Sequence, residues 1–252
     1  MEKIFPGQNE RQITSSIIAF IIGAIIGLSI SVDSSELVSG SITLMAAFIG
    51  AYFAFKLNDR KREQLRIERN VDSGNKAIFN LIRIYNAFGG YKETHIEPHL
   101  KNPLRYIGIR PSIGFEHSME NFDFDSLIYL VTADNPGLIG EISELQIDVL
   151  TTFEIIKKRN EIHYEEIQKK ISDMGIKPEE EITEQVINRS LEIRTIESMK
   201  SLTDAMIDSV DSILEKTRYL IDTMGKLHSH LYPDYPIIGM KYVSKETGKQ
   251  EG

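Results

Sequence analysis

Charge is absent from two long stretches near the start of the chain and dense almost everywhere else. Gln12 to Val32 is a run of 21 uncharged residues, eight of them Ile, and Leu37 to Phe55 is a second uncharged run of 19. At about 1.5 Å per helical residue, each run reaches roughly 30 Å, the thickness of a bilayer's hydrocarbon core. A buried hairpin in a soluble core seldom has uncharged runs this long. A signal peptide has a shorter apolar region and no second span directly after it. Only Asp33, Ser34, Ser35 and Glu36 separate the runs, so two spans here must turn back as an antiparallel hairpin.

Beyond Phe55 the pattern changes to that of water-exposed helices. Residues 56–70 carry six bases and three acids with no Gly or Pro, which predicts a solvated helix continuing from the second span. From Val71 an apolar face appears at Val71, Ile78, Leu81, Tyr85 and Phe88, with Gly74 standing at the missing step, and Gly89-Gly90 is expected to stop the helix. Residues 91–117, with prolines at 98, 103 and 111, break the helical pattern and predict an irregular connector suited to a sensing or docking surface.

A short helix is expected around Asp123–Thr132. Asp134-Asn135-Pro136 signals the start of a long helix whose inner face holds Leu138, Ile142, Leu145, Val149, Thr152 and Ile156, with Gly175 as its stop. Lys177-Pro178 opens another helix. The clearest periodicity follows: Ile196, Met199, Thr203, Met206, Val210, Ile213, Thr217, Leu220, Met224, Leu227 and Leu231 alternate steps of three and four. Two steps of three at Ile193–Ile196–Met199 suggest a kink there, and Pro233 and Pro236 end the helix. The seam is read either as an internal core or as an intermolecular contact.

The chain is therefore expected to be all-α. An N-terminal two-helix transmembrane hairpin (1–55, spans 12–32 and 37–55) leads into a basic stalk helix (56–90) and an irregular connector (91–122). A cytoplasmic antiparallel helical bundle or coiled coil (123–235) and a flexible tail (236–252) follow.

Charge sets the orientation. The linker between the spans has no base, whereas Lys3 and Arg11 precede them and Lys56, Arg60, Lys61, Arg62, Arg66 and Arg69 follow. Bases stay on the cytoplasmic side, so both termini are expected in the cytoplasm, in a bacterium beneath the inner membrane. The six bases are candidates for headgroup contact, with plain topology as the simpler role. Small residues sit at helix-packing spacing: Gly23 with Gly27, Ala46 with Gly50. They suit close approach of helix backbones, either within one hairpin or between copies.

Composition adds mainly exclusions. The 252 residues carry a net charge of -8, and the mean hydropathy of -0.19 is too low for a polytopic transporter. Residues 71–252 hold 21 bases against 30 acids, so direct nucleic-acid binding is not expected. With no cysteine there is no thiolate metal site and no cysteine nucleophile. His95 with His99, and His228 with His230, are the only histidine pairs at ligand-like spacing; Pro98 interrupts the first, and surface or capping roles are the simpler reading. No phosphate-binding loop, dinucleotide fingerprint, zinc-protease or nucleophile-elbow motif occurs. The expectation is a non-enzyme with no cofactor and no metal.

The succession of Gln12–Val32, the minimal turn, Leu37–Phe55, the basic stalk and a helical domain resembles, in architecture, two-span effectors of bacterial anti-phage systems such as the membrane toxins encoded beside retron reverse transcriptases. That resemblance implies an inner-membrane toxin released or triggered on infection, with a cytoplasmic protein or ribonucleoprotein as partner; it carries over no functional residue. The expected partners are otherwise the lipid bilayer and other copies of the chain. The alternative is a membrane-anchored scaffold or regulator that recruits a cytoplasmic partner.

Overall fold

The computed structural model describes residues 34–112, 120–132, 135–173 and 184–239. Every regular element among them is helical, and no strand occurs among them, so the protein is all-α. The chain divides into two units, Met1–Arg66 and Ile67–Gly252.

In the first unit, helix α1 (Ser34–Tyr91) begins inside the predicted turn and holds the whole of Leu37–Phe55. It is long and apolar enough to cross a membrane, and among the described residues none of its apolar window is buried. The other predicted span, Gln12–Val32, lies outside the described residues, and Gly23 and Gly27 with it.

In the second unit, the continuation of α1 buries Val71, Ile78, Leu81, Ile84 and Phe88. Gly89-Gly90 does not stop the helix, contrary to expectation. Phe88 stacks on Phe153 at 5.7 Å and Tyr91 is buried, so packing on both sides of the pair outweighs the glycines' poor helix propensity. Of the connector expected over 91–122, residues 91–112 hold more helical turns than their prolines suggest. A π-helical turn (Lys92–Ile96) passes into a 3-10 turn (Glu97–His99), where Pro98 stands in the first turn and its missing N–H is no loss. Helix α2 (Arg105–Gly108) follows, with Tyr106, Ile107 and Ile109 buried.

The expected short helix is a 3-10 helix (Asp125–Thr132) that buries Leu127 and Leu130. Helix α3 (Leu138–Ile162) starts just beyond Asn135-Pro136, and all six of its predicted inner-face residues are buried. It passes into a π-helical segment (His163–Gln168) and then α4 (Lys169–Asp173). The start expected at Lys177-Pro178 lies outside the described residues, whereas α5 (Glu184–Ser190) lies within them.

Helix α6 (Ile193–Leu231) follows a break at Glu192, whose backbone is extended (φ -64°, ψ 140°). The interruption falls there and not within Ile193–Met199, and Ile193, at 73% exposure, faces water. The predicted seam is buried from Ile196 through Leu220 and Met224, but it ends on Ile221 and His228, with Leu227 and Leu231 only half-buried. A straight helix drifts by about 20° per heptad against a strict seven-residue repeat, and the late shift of the buried stripe follows that drift.

Contacts set the directions of the helices. Asp148, Arg159 and Glu166 on the α3 side meet Lys216, Thr203 and Thr195, so α3 and α6 run antiparallel. Asn70, Tyr91 and Lys92 meet Tyr232, Met206 and Asp211, so α1 also opposes α6. The main core fills the space among these three helices and the 3-10 helix. A smaller cluster around Tyr106, Ile167, Ile187 and Met199 closes the other end.

Candidate functional site

The described part of the apolar stretch has its small residues on one face. By helical spacing Gly40, Thr43, Ala47, Gly50 and Ala54 align, and Ile42, Met45, Ile49 and Phe53 fall elsewhere around the helix. Nothing lies within 4 Å of where a Cβ would stand on Gly40 or Gly50. The predicted packing residues Ala46 and Gly50 are both exposed. Thr43 donates its hydroxyl to the Ser39 carbonyl at 2.9 Å, so that polar group needs no partner outside the helix.

An aromatic and basic border closes the stretch. The Tyr52 and Phe53 rings meet edge to face at 5.8 Å. Lys56 Nζ lies 5.8 Å from the Tyr52 ring centroid, within cation–π range. Lys56, Arg60, Lys61, Arg62, Arg66 and Arg69 are all exposed. Arg66 is bound to Glu63 at 2.6 Å, one turn away on the same helix. These positions suit an interface in which rings mark the apolar edge and cations stand just outside it.

Two features of the second unit have no motif to announce them. Arg159 is completely buried. Its Nε donates to Thr203 Oγ1 at 3.0 Å, and Nη2 donates to the carbonyls of Tyr106 (3.1 Å) and Ile109 (2.6 Å). Asn160 donates to the Ser112 carbonyl at 3.0 Å, and the His163 ring bonds the Ile107 carbonyl at 2.8 Å. One face of α3 and its π-helical extension thus grips the backbone of 106–112, and a fork of donors is the chemistry that fits several carbonyls at once. Burial lowers the Arg159 pKa to about 10. Among the described residues no carboxylate pairs with it, and its Nη1 has no partner there.

The second feature is the contact between α1 and the end of α6. A Cβ on Gly74 would stand 1.7 Å from His228 Cε1, so only glycine leaves room for the ring against this turn of the helix. His228 bonds Tyr129 Oη through Nε2 at 2.6 Å and meets the Tyr129 and Tyr232 rings edge-on, each at 5.7 Å. Burial depresses the His228 pKa to about 4 and raises that of Tyr129.

Of the histidines with ligand-like spacing, His95 lies against the Tyr91 ring at 5.1 Å, and His99 lies beside Gly108. His228 is buried, whereas His230 is exposed. Among the described residues no three His, Asp or Glu converge to hold a metal. Two open cavities of about 370 and 410 Å³ flank Phe122, and Glu120, which lines both, lies 3.6 Å from Arg83.

The sequence does carry signals for these residues, but they look like flaws in a pattern. Arg159 is a charged residue three positions beyond Ile156 on an otherwise apolar face. Gly74 is a gap in an apolar series, and such a gap marks close backbone approach. No protein-family model, curated protein or solved structure matches the chain.

Proposed function

We propose that the protein is an inner-membrane effector of antiviral defence, a toxin that perturbs the bilayer once its cytoplasmic helical part is released or triggered. The observation that supports this reading is α1. Its apolar stretch has its described side chains exposed from Ile42 to Phe55, and the same helix continues without a break through the basic residues to a buried face. A change at that buried face has a continuous helix along which to act.

The finer arrangement belongs to the same proposal. Two spans form a hairpin with Asp33–Glu36 outside and both termini in the cytoplasm. The second unit is a cytoplasmic antiparallel bundle. Gly23, Gly27, Ala46 and Gly50 serve self-association, and the six bases from Lys56 to Arg69 lie at the anionic headgroups. The trigger comes from a cytoplasmic protein or ribonucleoprotein, and no catalytic step, cofactor or metal is required.

The scaffold reading is supported by the open cavities beside Phe122, which have room to seat a recruited partner. Expression of the full chain with a voltage-sensitive dye separates the two. An effector depolarises the cell, and Gly50→Leu, which keeps the span apolar but adds bulk to its small face, abolishes the effect while leaving the protein in the membrane. An intact membrane potential at high expression of the unaltered chain favours the scaffold.

A further inference from the structure

After Leu231 the chain turns back onto α1. Pro233 and Pro236 cannot prolong α6, and Tyr235 N–H closes a turn on the Tyr232 carbonyl at 3.1 Å. The segment then lies along the Asn70–Asn75 turns of α1. Asn70 Nδ2 donates to Tyr232 Oη at 3.1 Å. Asn75 holds the segment from both sides of its amide, donating through Nδ2 to the Pro236 carbonyl at 3.0 Å and accepting the Ile238 N–H through Oδ1 at 2.9 Å. Ile237 is half-buried against the main core. His228, seated on Gly74, fixes where the segment starts.

We propose that Tyr232–Ile238 is a releasable latch that restrains the activity of the apolar stretch by holding α1 at Asn70–Asn75. This rests on the effector reading. The placement supports it, because the latch grips the first packed turns of the helix that carries the apolar stretch, immediately beyond the basic residues. The bonds support it too. The deeper contacts of α1, at Ile78, Leu81 and Phe88, are completely buried. The Asn75 bonds are exposed to water, which makes the latch the part that local fluctuation or a competing partner opens while the core stays closed. Of its two side-chain clamps, Asn70 meets the Tyr232 hydroxyl and Asn75 recognises only backbone, so an extended peptide presenting a carbonyl and an N–H at that spacing can compete for Asn75.

Asn75→Ala removes both backbone bonds without entering the core. In the full chain in detergent, hydrogen exchange of the Ile238 amide should rise about tenfold or more, with exchange in 196–224 unchanged. In cells at matched expression, depolarisation should rise several-fold over the unaltered chain. Tyr232→Phe, which loses only the Asn70 bond, should lie between the two. The latch is refuted if Asn75→Ala speeds Ile238 exchange but leaves depolarisation at the unaltered level, and the effector reading survives that outcome. It is also refuted if exchange does not change. If neither the unaltered chain nor any variant depolarises cells, the effector reading falls and the latch with it.

Discussion

His228 lies where a side chain on residue 74 would otherwise stand, and its burial has a consequence that can be measured in solution. The pKa of about 4 lies below the ordinary 6.5, so between these values the unfolded chain takes up a proton that the folded chain refuses. Stability is therefore intact above about pH 6.5 and is lost as the pH falls towards about 4. His163 acts in the same direction: burial lowers its pKa, partly opposed by the bond to the Ile107 carbonyl and reinforced by the charge of Arg159. Thermal melts of the full chain in detergent should show a falling midpoint from pH 7 to pH 4, and His228→Gln should flatten the part of the slope due to this ring. Equal slopes for the two proteins would show that another group carries the pH dependence. At this scale the sequence identifies the side chains but not their surroundings. His228 reads there as one of a surface pair, and Arg159 draws no notice because a basic residue on a long helix is ordinarily solvated.

Local helix signals are easiest to read where packing agrees with them and fail where it does not. The start of α3 falls next to Asn135-Pro136, although Gly137 is its N-cap and Pro136 precedes the helix instead of standing in its first turn; its inner face follows directly from helical spacing. Gly89-Gly90 misleads because a stop signal is only a propensity, and the burial of Phe88 and Tyr91 overrides it. The glycines still weaken the helix. Gly90 has open space within 4 Å of where a Cβ would stand, so Gly90→Ala should stabilise the second unit by about 0.5–1 kcal/mol. A higher urea midpoint at unchanged slope would show this; a lower midpoint would mean that the pair is a required joint between α1 and the π-helical turn. The late shift of α6's buried stripe from Leu227 to His228 has a comparable cause. Its period is that of a straight helix, and over several turns the difference from about 3.5 residues moves the face by one residue.

Across the whole molecule, the near-neutral mean hydropathy conceals two kinds of sequence, one suited to lipid and one to water. The six bases and three acids of 56–70 stand between the uncharged Leu37–Phe55 and a remainder with 30 acids against 21 bases. The proposed orientation follows from that asymmetry, and the absence of cysteine makes it simple to test. Ser34→Cys should react with a membrane-impermeant maleimide in intact spheroplasts, whereas Lys61→Cys should react only after lysis; the opposite pattern would invert the topology. By itself, the sequence determined the helical class, the apolar stretch with its basic border and the inner faces of α3 and α6, because each depends on periodicity or charge within a few turns of chain. Tertiary structure alone decided the ordered path of 91–112, the grip of Arg159 on the Tyr106 and Ile109 carbonyls, the seat of His228 on Gly74 and the return of Tyr232–Ile238 onto Asn75. Each of the last three joins residues far apart in the chain; Arg159 and Asn75 do so through backbone groups that every residue carries, and Gly74 through a missing side chain, so the sequence can mark an irregular position but cannot name its partner.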